Sequence, residues 1–199
     1  MQPINDIFDF TQPQRTPQSG DILVVEPFLK EAHFRRAVIL LVDYKESEGS
    51  VGLVLNRRSN ISLNSVLRNA SCPTHIPLHV GGPVEHGRLL YIHTLGNRFR
   101  NAIALENGLF IGGDFNDVLQ YLNSDEYSEE CIKFFAGYCG WSPGQLESEI
   151  GEKTWVVTTL DNTLAAMTAH DENYWQEIVA SLGEEFRPWL LCPCEPHLN

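Results

Sequence analysis

The sequence has no apolar run long enough to cross a membrane. Its longest, Ala37 to Val42, falls far short of the roughly 20 residues that a span needs. It has no glycine-rich phosphate loop and no G-x-G-x-x-G, which removes the common nucleotide-binding designs. Its seven histidines contain neither H-x-H nor H-E-x-x-H, so the usual zinc-hydrolase spacing is missing. Cations are scarce in the second half. Residues 101–199 carry 3 Lys+Arg against 17 Asp+Glu, whereas residues 1–100 carry 11 against 9. The net charge is −12. Such a surface repels phosphate backbones and anionic lipid, which argues against direct nucleic-acid binding and against a membrane partner. The pairs Arg35-Arg36 and Arg57-Arg58 fit solvated positions or a local basic patch. Repeats and low-complexity segments are absent, as is any assembled catalytic motif, and no cofactor is expected.

The first residues, Met1 to Asp6, lack the basic and apolar regions of a signal peptide, so a cytoplasmic location is expected. Five cysteines, an odd number, suit free thiols in a reducing compartment. A hydrophobic fraction of 43% with 20% charged residues is ordinary for a globular chain of 199 residues and argues against global disorder. A chain of this size buries roughly 70% of its unfolded surface and needs no metal or disulfide to fold.

Three segments are expected: a polar, proline-punctuated arm over residues 1–19, one domain over 20–191, and a tail over 192–199. Within the domain, short apolar runs alternate with turn signals. Asp21 to Glu26, stopped by Pro27, reads as a buried strand, and Ala37 to Val42 as a second with Gly52 to Asn56 as its hairpin partner. Ser62 would cap a short helix carrying Leu63, Val66 and Leu67. Leu78 to Val80 and Leu89 to His93 read as strands. Asn107-Gly108 favours a type I′ turn between Ala102–Leu105 and Leu109–Ile111. Asp114 would cap a helix with Val118, Leu119 and Leu122 on one face. Ile132 to Tyr138 and Trp155 to Leu160 read as strands, and Glu172 to Leu182 as a helix ended by Gly183. Trp189, Leu190 and Leu191 are expected to pack back onto the domain. Ser142-Pro143-Gly144-Gln145 has the form of a capping box with proline at the first helical position, predicting a helix from Pro143 to about Ile150. Strands grouped as hairpins, rather than in strict βα alternation, favour an α+β fold with a mixed or mostly antiparallel sheet.

The segment Gly137-Tyr138-Cys139-Gly140-Trp141-Ser142-Pro143-Gly144-Gln145-Leu146-Glu147 resembles the signature G-Y-x-G-W-x-x-G-Q-L-E of the bacterial YqgE/AlgH family. Three more blocks resemble the family's in the same order: Gly20 to Leu29, Gly49 to Asn56, and Gly81-Gly82-Pro83-Val84. The likeness spans about residues 20–160. It implies a bifurcated sheet curled into a pseudo-barrel with flanking helices, and a bacterial source. It implies little about activity. The AlgH branch carries a transcriptional-regulator label from genetics, with no DNA-binding motif behind it and no catalytic residues to carry over. The Cys192-Pro193-Cys194 element is a departure from the family pattern.

Two segments are the candidate site. Gly81 and Gly82 suit either a structural turn or a nest of N–H groups able to hold an anion. Tyr138, Cys139, Gly140, Trp141, Gly144, Gln145 and Glu147 lead into a helix start, where free N–H groups favour anions and Tyr138 and Trp141 offer stacking faces. The same residues would equally serve a tight corner with Trp141 in the core and Glu147 as an internal hydrogen-bond acceptor. Cys139, just ahead of that helix start, is read first as a small buried thiol packing in the core, and is the thiol that would show a lowered pKa if any does. A base for it would have to come from His79, His86 or His93. Cys192, Cys194 and His197 form C-x-C-x-x-H, a weak metal candidate with a tight spacing and no fourth ligand. The expected role is a binding or regulatory module for a protein or small ligand. The alternative is an enzyme whose site is built from the Gly81–Val84 and Gly137–Glu147 loops. The sequence sets no oligomeric state.

Overall fold

The computed structural model describes residues 15–67 and 75–193. Ten strands form one sheet: β1 (Ile22–Val25), β2 (Val38–Lys45), β3 (Gly49–Val54), β4 (Arg58–Ser62), β5 (Pro77–Val80), β6 (Val84–His93), β7 (Ile103–Ala104), β8 (Phe110–Ile111), β9 (Ile132–Trp141) and β10 (Trp155–Thr158). The helices are α1 (Leu63–Val66), α2 (Phe115–Leu122), α3 (Gln145–Gly151), α4 (Thr163–Thr168), α5 (Glu172–Leu182) and α6 (Arg187–Leu190). No helix among the described residues is long and apolar enough to cross a membrane.

The strand path runs β10-β1-β2-β3-β9-β6-β8-β7, and β5 with β4 branches from β9. The pairings are antiparallel except for β5 with β9. Strand β9 is the hub. It pairs with β5 through Phe134 to Ala136, with β3 through Cys139 to Trp141, and with β6 through residues from Ile132 to Tyr138. The α+β class and the mostly antiparallel pairing follow the sequence reading. The sheet branches at β9, but it is not closed, and the curl into a pseudo-barrel is not shown: the path ends at β10 and β7, which do not pair with each other. A two-residue β7 offers too short a ladder to join.

Side-chain alternation along β9 feeds two separate cores, because successive residues of a strand point to opposite faces. Phe135, Cys139 and Trp141 enter a cluster with β1, β2, β10 and the tryptophans Trp155, Trp175 and Trp189. Phe134 and Ile132 enter the other, with Leu63, Leu78, Tyr91, Phe99 and the buried face of α2, Val118, Tyr121 and Leu122. Each such large side chain contributes about 1.5–3 kcal/mol when fully buried. Strand β1, Ile-Leu-Val-Val, lies between β10 and β2 and is buried at every position, which explains its unbroken apolar run.

Local signals decided several elements. Asp114 accepts from the Asn116 N–H to start α2, and Asp171 accepts from the Asn173 N–H to start α5. Helix α5 ends before Gly183, as read from the sequence, and its Trp175 indole donates to the Val25 carbonyl at 3.0 Å, tying the helix to β1. Asn107 and Gly108 both take positive φ, 63° and 75°, as a type I′ turn requires.

Other readings are corrected. Strand β4 and helix α4 carry little apolar periodicity and were not expected. The Ser62 side chain makes no cap to α1 and instead lies 3.1 Å from the Ser65 hydroxyl. Trp189 is fully buried and Leu190 packs against the core, but Leu191 is 85% exposed, so the packing back ends one residue earlier than expected. Helix α3 begins at Gln145 rather than Pro143. Ser142 to Gln145 closes a turn in which the Gln145 N–H donates to the Ser142 carbonyl at 3.0 Å and Gly144 takes φ of 75° and ψ of −8°. Proline second and a left-handed glycine third are the composition of a type II turn, and that preference displaces the helix start. Only half of the capping box forms: the Gln145 Oε1 accepts from the Ser142 N–H.

Candidate functional site

The fold brings the two glycine loops into direct backbone contact. The Gly81 N–H donates to the Ala136 carbonyl at 2.9 Å, and its carbonyl accepts from the Val54 N–H. A Cβ on Gly81 would lie 2.2 Å from the Gly137 oxygen, and one on Gly82 2.2 Å from the Tyr138 carbonyl carbon. These glycines let two segments of the chain cross at a distance that no other residue permits. Since the Gly81 N–H is already bonded, it is not available to an anion.

Cys139 is 1% exposed, and its thiol donates to the Gly81 carbonyl at 3.4 Å. It belongs to a strand interior rather than to a helix start, and burial pushes its pKa up. The lowered-pKa reading of this cysteine is overturned. Tyr138 lies on the other face of β9, with the Arg88 guanidinium 5.7 Å from its ring centre. Glu147 accepts from the Tyr44 hydroxyl, which burial and this carboxylate together push up to about 12.

Beside this crossing is a cavity of about 360 Å³. Pro83 from one loop and Cys139, Gly140, Trp141 and Gln145 from the other line it, together with Phe34 and Trp155. Trp141 and Trp155 meet edge to face, with ring centres 6.1 Å apart. One carboxylate holds both. The Glu149 Oε2 accepts from the Trp141 indole at 2.9 Å and from the Trp155 indole at 2.7 Å, and its Oε1 accepts from the Gln145 amide at 2.8 Å. Glu31 and Glu152 stand at the mouth, and no basic side chain lines this cavity. Three carboxylates beside three aromatic rings give this cavity a lining that attracts a cation.

A second cavity, of about 240 Å³, was not foreseen. It shares no lining residue with the first and is bordered by Arg58, His79, Lys133, His170, Glu129 and Glu130. Lys133 is 2% exposed, and its ammonium donates to the Ala166 carbonyl at 3.0 Å and to the Ala169 carbonyl beyond it, at the end of α4. Burial lowers its pKa to about 7. His79, 7% exposed, has an Nδ1 atom with no hydrogen-bond partner. Burial first, and the Lys133 charge second, lower its pKa to about 3. One signal in the sequence could have found this site: a lysine inside the apolar run Ile132-Lys133-Phe134-Phe135, in a half of the chain with few cations.

Of the C-x-C-x-x-H element, Cys192 is buried with its thiol directed to the Pro188 carbonyl, while Cys194 and His197 lie outside the described residues. The same holds for residues 1–14 of the expected arm. Among the described residues, no group of three His, Cys, Asp or Glu is placed to hold a metal ion.

The profile of the AlgH-like family matches residues 22–187, most of the chain and both glycine loops. The chain belongs to this family. It is 38% identical to a UPF0301 protein of Parabacteroides distasonis over the full length of both. A UPF0301 protein of Bacteroides thetaiotaomicron is 35% identical, with 98% of each chain covered. The solution structure of AlgH from Pseudomonas aeruginosa superimposes with a TM-score of 0.69 at 27% identity, covering 94% of this chain and all of that one. A crystal structure of a Corynebacterium diphtheriae protein gives 0.71 at 23% identity, covering 89% and 94%, which supports the fold alone. The recognition of the YqgE/AlgH pattern in the sequence is thereby established.

Proposed function

We propose that this AlgH-like protein is a binding module that captures a cationic group, such as a basic side chain of a protein partner or a small amine, in the cavity beside Trp141. The observation that carries the reading is the lining of that cavity: three carboxylates, three aromatic rings and no cation. A cation over an aromatic face gains about 0.5–2 kcal/mol, more as water is excluded. The Gly81–Val84 and Gly137–Glu147 segments both contribute, through Pro83 and through Cys139 to Gln145. Binding is favoured over turnover because the thiol in this cavity, Cys139, is held protonated by burial and no histidine lines the cavity with it. A regulatory role fits this reading through contact with a protein rather than with DNA, which the acidic second half of the chain disfavours. The cytoplasm is the proposed compartment, in keeping with free thiols at Cys131, Cys139 and Cys192.

The test is tryptophan fluorescence during titration with arginine amide and with a lysine amide, in the native protein and in Glu31→Gln/Glu152→Gln. A saturable change that weakens at least several-fold in the double variant supports the reading. No saturable change, or binding indifferent to both substitutions, overturns it.

A further inference from the structure

We propose that the cavity walled by β4, β5, the start of β9 and the segment after α4 is a second site, which binds a small molecule through an oxyanion group, carboxylate or phosphate, held by the Lys133 ammonium and His79. The argument begins with charge. Lys133 is buried and makes no ion pair among the described residues; its bonded partners are the carbonyls of Ala166 and Ala169. An ammonium has three N–H donors, so two carbonyls leave one unused beside the cavity that Lys133 lines. A buried cation without a counter-charge is costly, and an anion in the cavity would remove that cost.

Register supplies the second part. Arg58 lies directly opposite His79 on the antiparallel β4–β5 pair, and His79 is in register with Phe135 on the parallel β5–β9 pair. Paired residues share a face, and so do residues two apart on one strand. Arg58, His79 and Lys133 therefore stand on the same face of the sheet. Arg58 and Lys133 carry like charge on either side of the neutral His79, and an anion among them relieves their repulsion. The third part is the His79 Nδ1, more than nine-tenths buried, without a hydrogen-bond partner and on the cavity wall. The ring's hydrogen bond to the Phe134 backbone uses the other nitrogen as donor, so Nδ1 donates to an oxyanion oxygen once the bound anion draws a proton onto the ring.

The remaining charged neighbours are peripheral. His170 and Arg58 are exposed at the mouth, as are Glu129 and Glu130, and the His170 ring lies 3.4 Å from Asp171. The two glutamates keep the mouth from being a general anion trap, so recognition depends on reaching the interior lysine. A volume near 240 Å³ fits a compact molecule rather than a polymer. Because the bound anion favours the ammonium form of Lys133, binding takes up a proton and weakens as pH rises above about 7.

The experiment is NMR of the lysine side chains. The chain has only four lysines, Lys30, Lys45, Lys133 and Lys153, so the Lys133 signal is readily assigned. The native protein is titrated over pH with no addition, with inorganic phosphate, with acetate and with succinate. The expected result is a rise of about one unit or more in the Lys133 titration midpoint with at least one anion, and binding at least tenfold weaker about two pH units higher. A response to phosphate alone, or to the carboxylates alone, identifies the group recognised. Arg58→Gln and His79→Gln should each weaken binding several-fold while the Lys133 signal persists. A Lys133 midpoint unmoved by all three anions overturns the proposal, as does a shift that Arg58→Gln and His79→Gln leave intact.

Discussion

The two cavities lie at opposite ends of strand β9, about 26 Å apart along it, and they are built in opposite ways. The cavity beside Trp141 draws four of its lining residues from one contiguous stretch, Cys139 to Gln145, and its fixed charges are carboxylates. The cavity over Lys133 gathers residues from position 58 to position 170, and its two buried polar side chains are bases. The first is organised by a bonded carboxylate: Glu149 satisfies both indoles. The second holds a buried polar atom that the protein leaves without a partner, the His79 Nδ1, beside a lysine bonded only to carbonyls. A motif thus marks a place where the chain crosses itself tightly. An unmarked place can still hold the stronger chemical demand for a ligand.

The contrast can be broken at the crossing first. Gly82→Ala puts a methyl group into the Tyr138 backbone, which cannot move without opening β9, so a loss of more than about 3 kcal/mol is expected in chemical denaturation. Glu149→Ala should come next, at about 2–4 kcal/mol, because it removes the carboxylate that accepts from two largely buried indole N–H groups. A loss below about 1 kcal/mol would mean that the carboxylate is not what organises the first cavity.

The second cavity has a pH signature. Between the Lys133 folded value of about 7 and its ordinary 10.5, the unfolded chain holds a proton that the folded chain has released. Stability therefore rises with pH across that window, by at most about 1.4 kcal/mol per unit. Lys133→Met should flatten this rise in urea melts made at successive pH values. For His79, folded about 3 against 6.5 unfolded, stability falls as pH drops from about 6.5 towards 3, and His79→Gln should reduce that acid sensitivity.

Smaller effects sharpen the division of labour along the first loop. Gly144→Ala meets no neighbouring atom but must adopt φ near 75°, so a loss of about 1–2 kcal/mol is expected, well below that of Gly82→Ala. Glu152→Gln, exposed at the mouth, should leave thermal stability unchanged and register only in cation binding.

Much of this architecture was legible. The β1 and β2 runs, the Asn107-Gly108 turn, the Asp114 cap and the whole of α5 each depend on signals a few residues long. The Gly81–Val84 and Gly137–Glu147 loops, taken together as the candidate site, do meet in the fold. The errors share a cause. Ser142 to Gln145 satisfies two local patterns, a capping box and a type II turn, and the strand before it decides between them. Cys139 stands three residues before a cap-like serine, yet its pKa depends on the carbonyl and rings around it.

By itself, the sequence determined the family, the α+β class, the hairpin grouping and the approximate place of most elements, because hydrophobic period, turn chemistry and capping act over short stretches of chain. Only the tertiary structure decided which groups share a cavity and what burial does to their protons. Those depend on β5 lying parallel to β9, on α4 ending over Lys133, and on water being excluded between them. Such conditions couple residues distant in the chain, Lys133 with Ala166 and His79 with Phe135, and no local pattern encodes them.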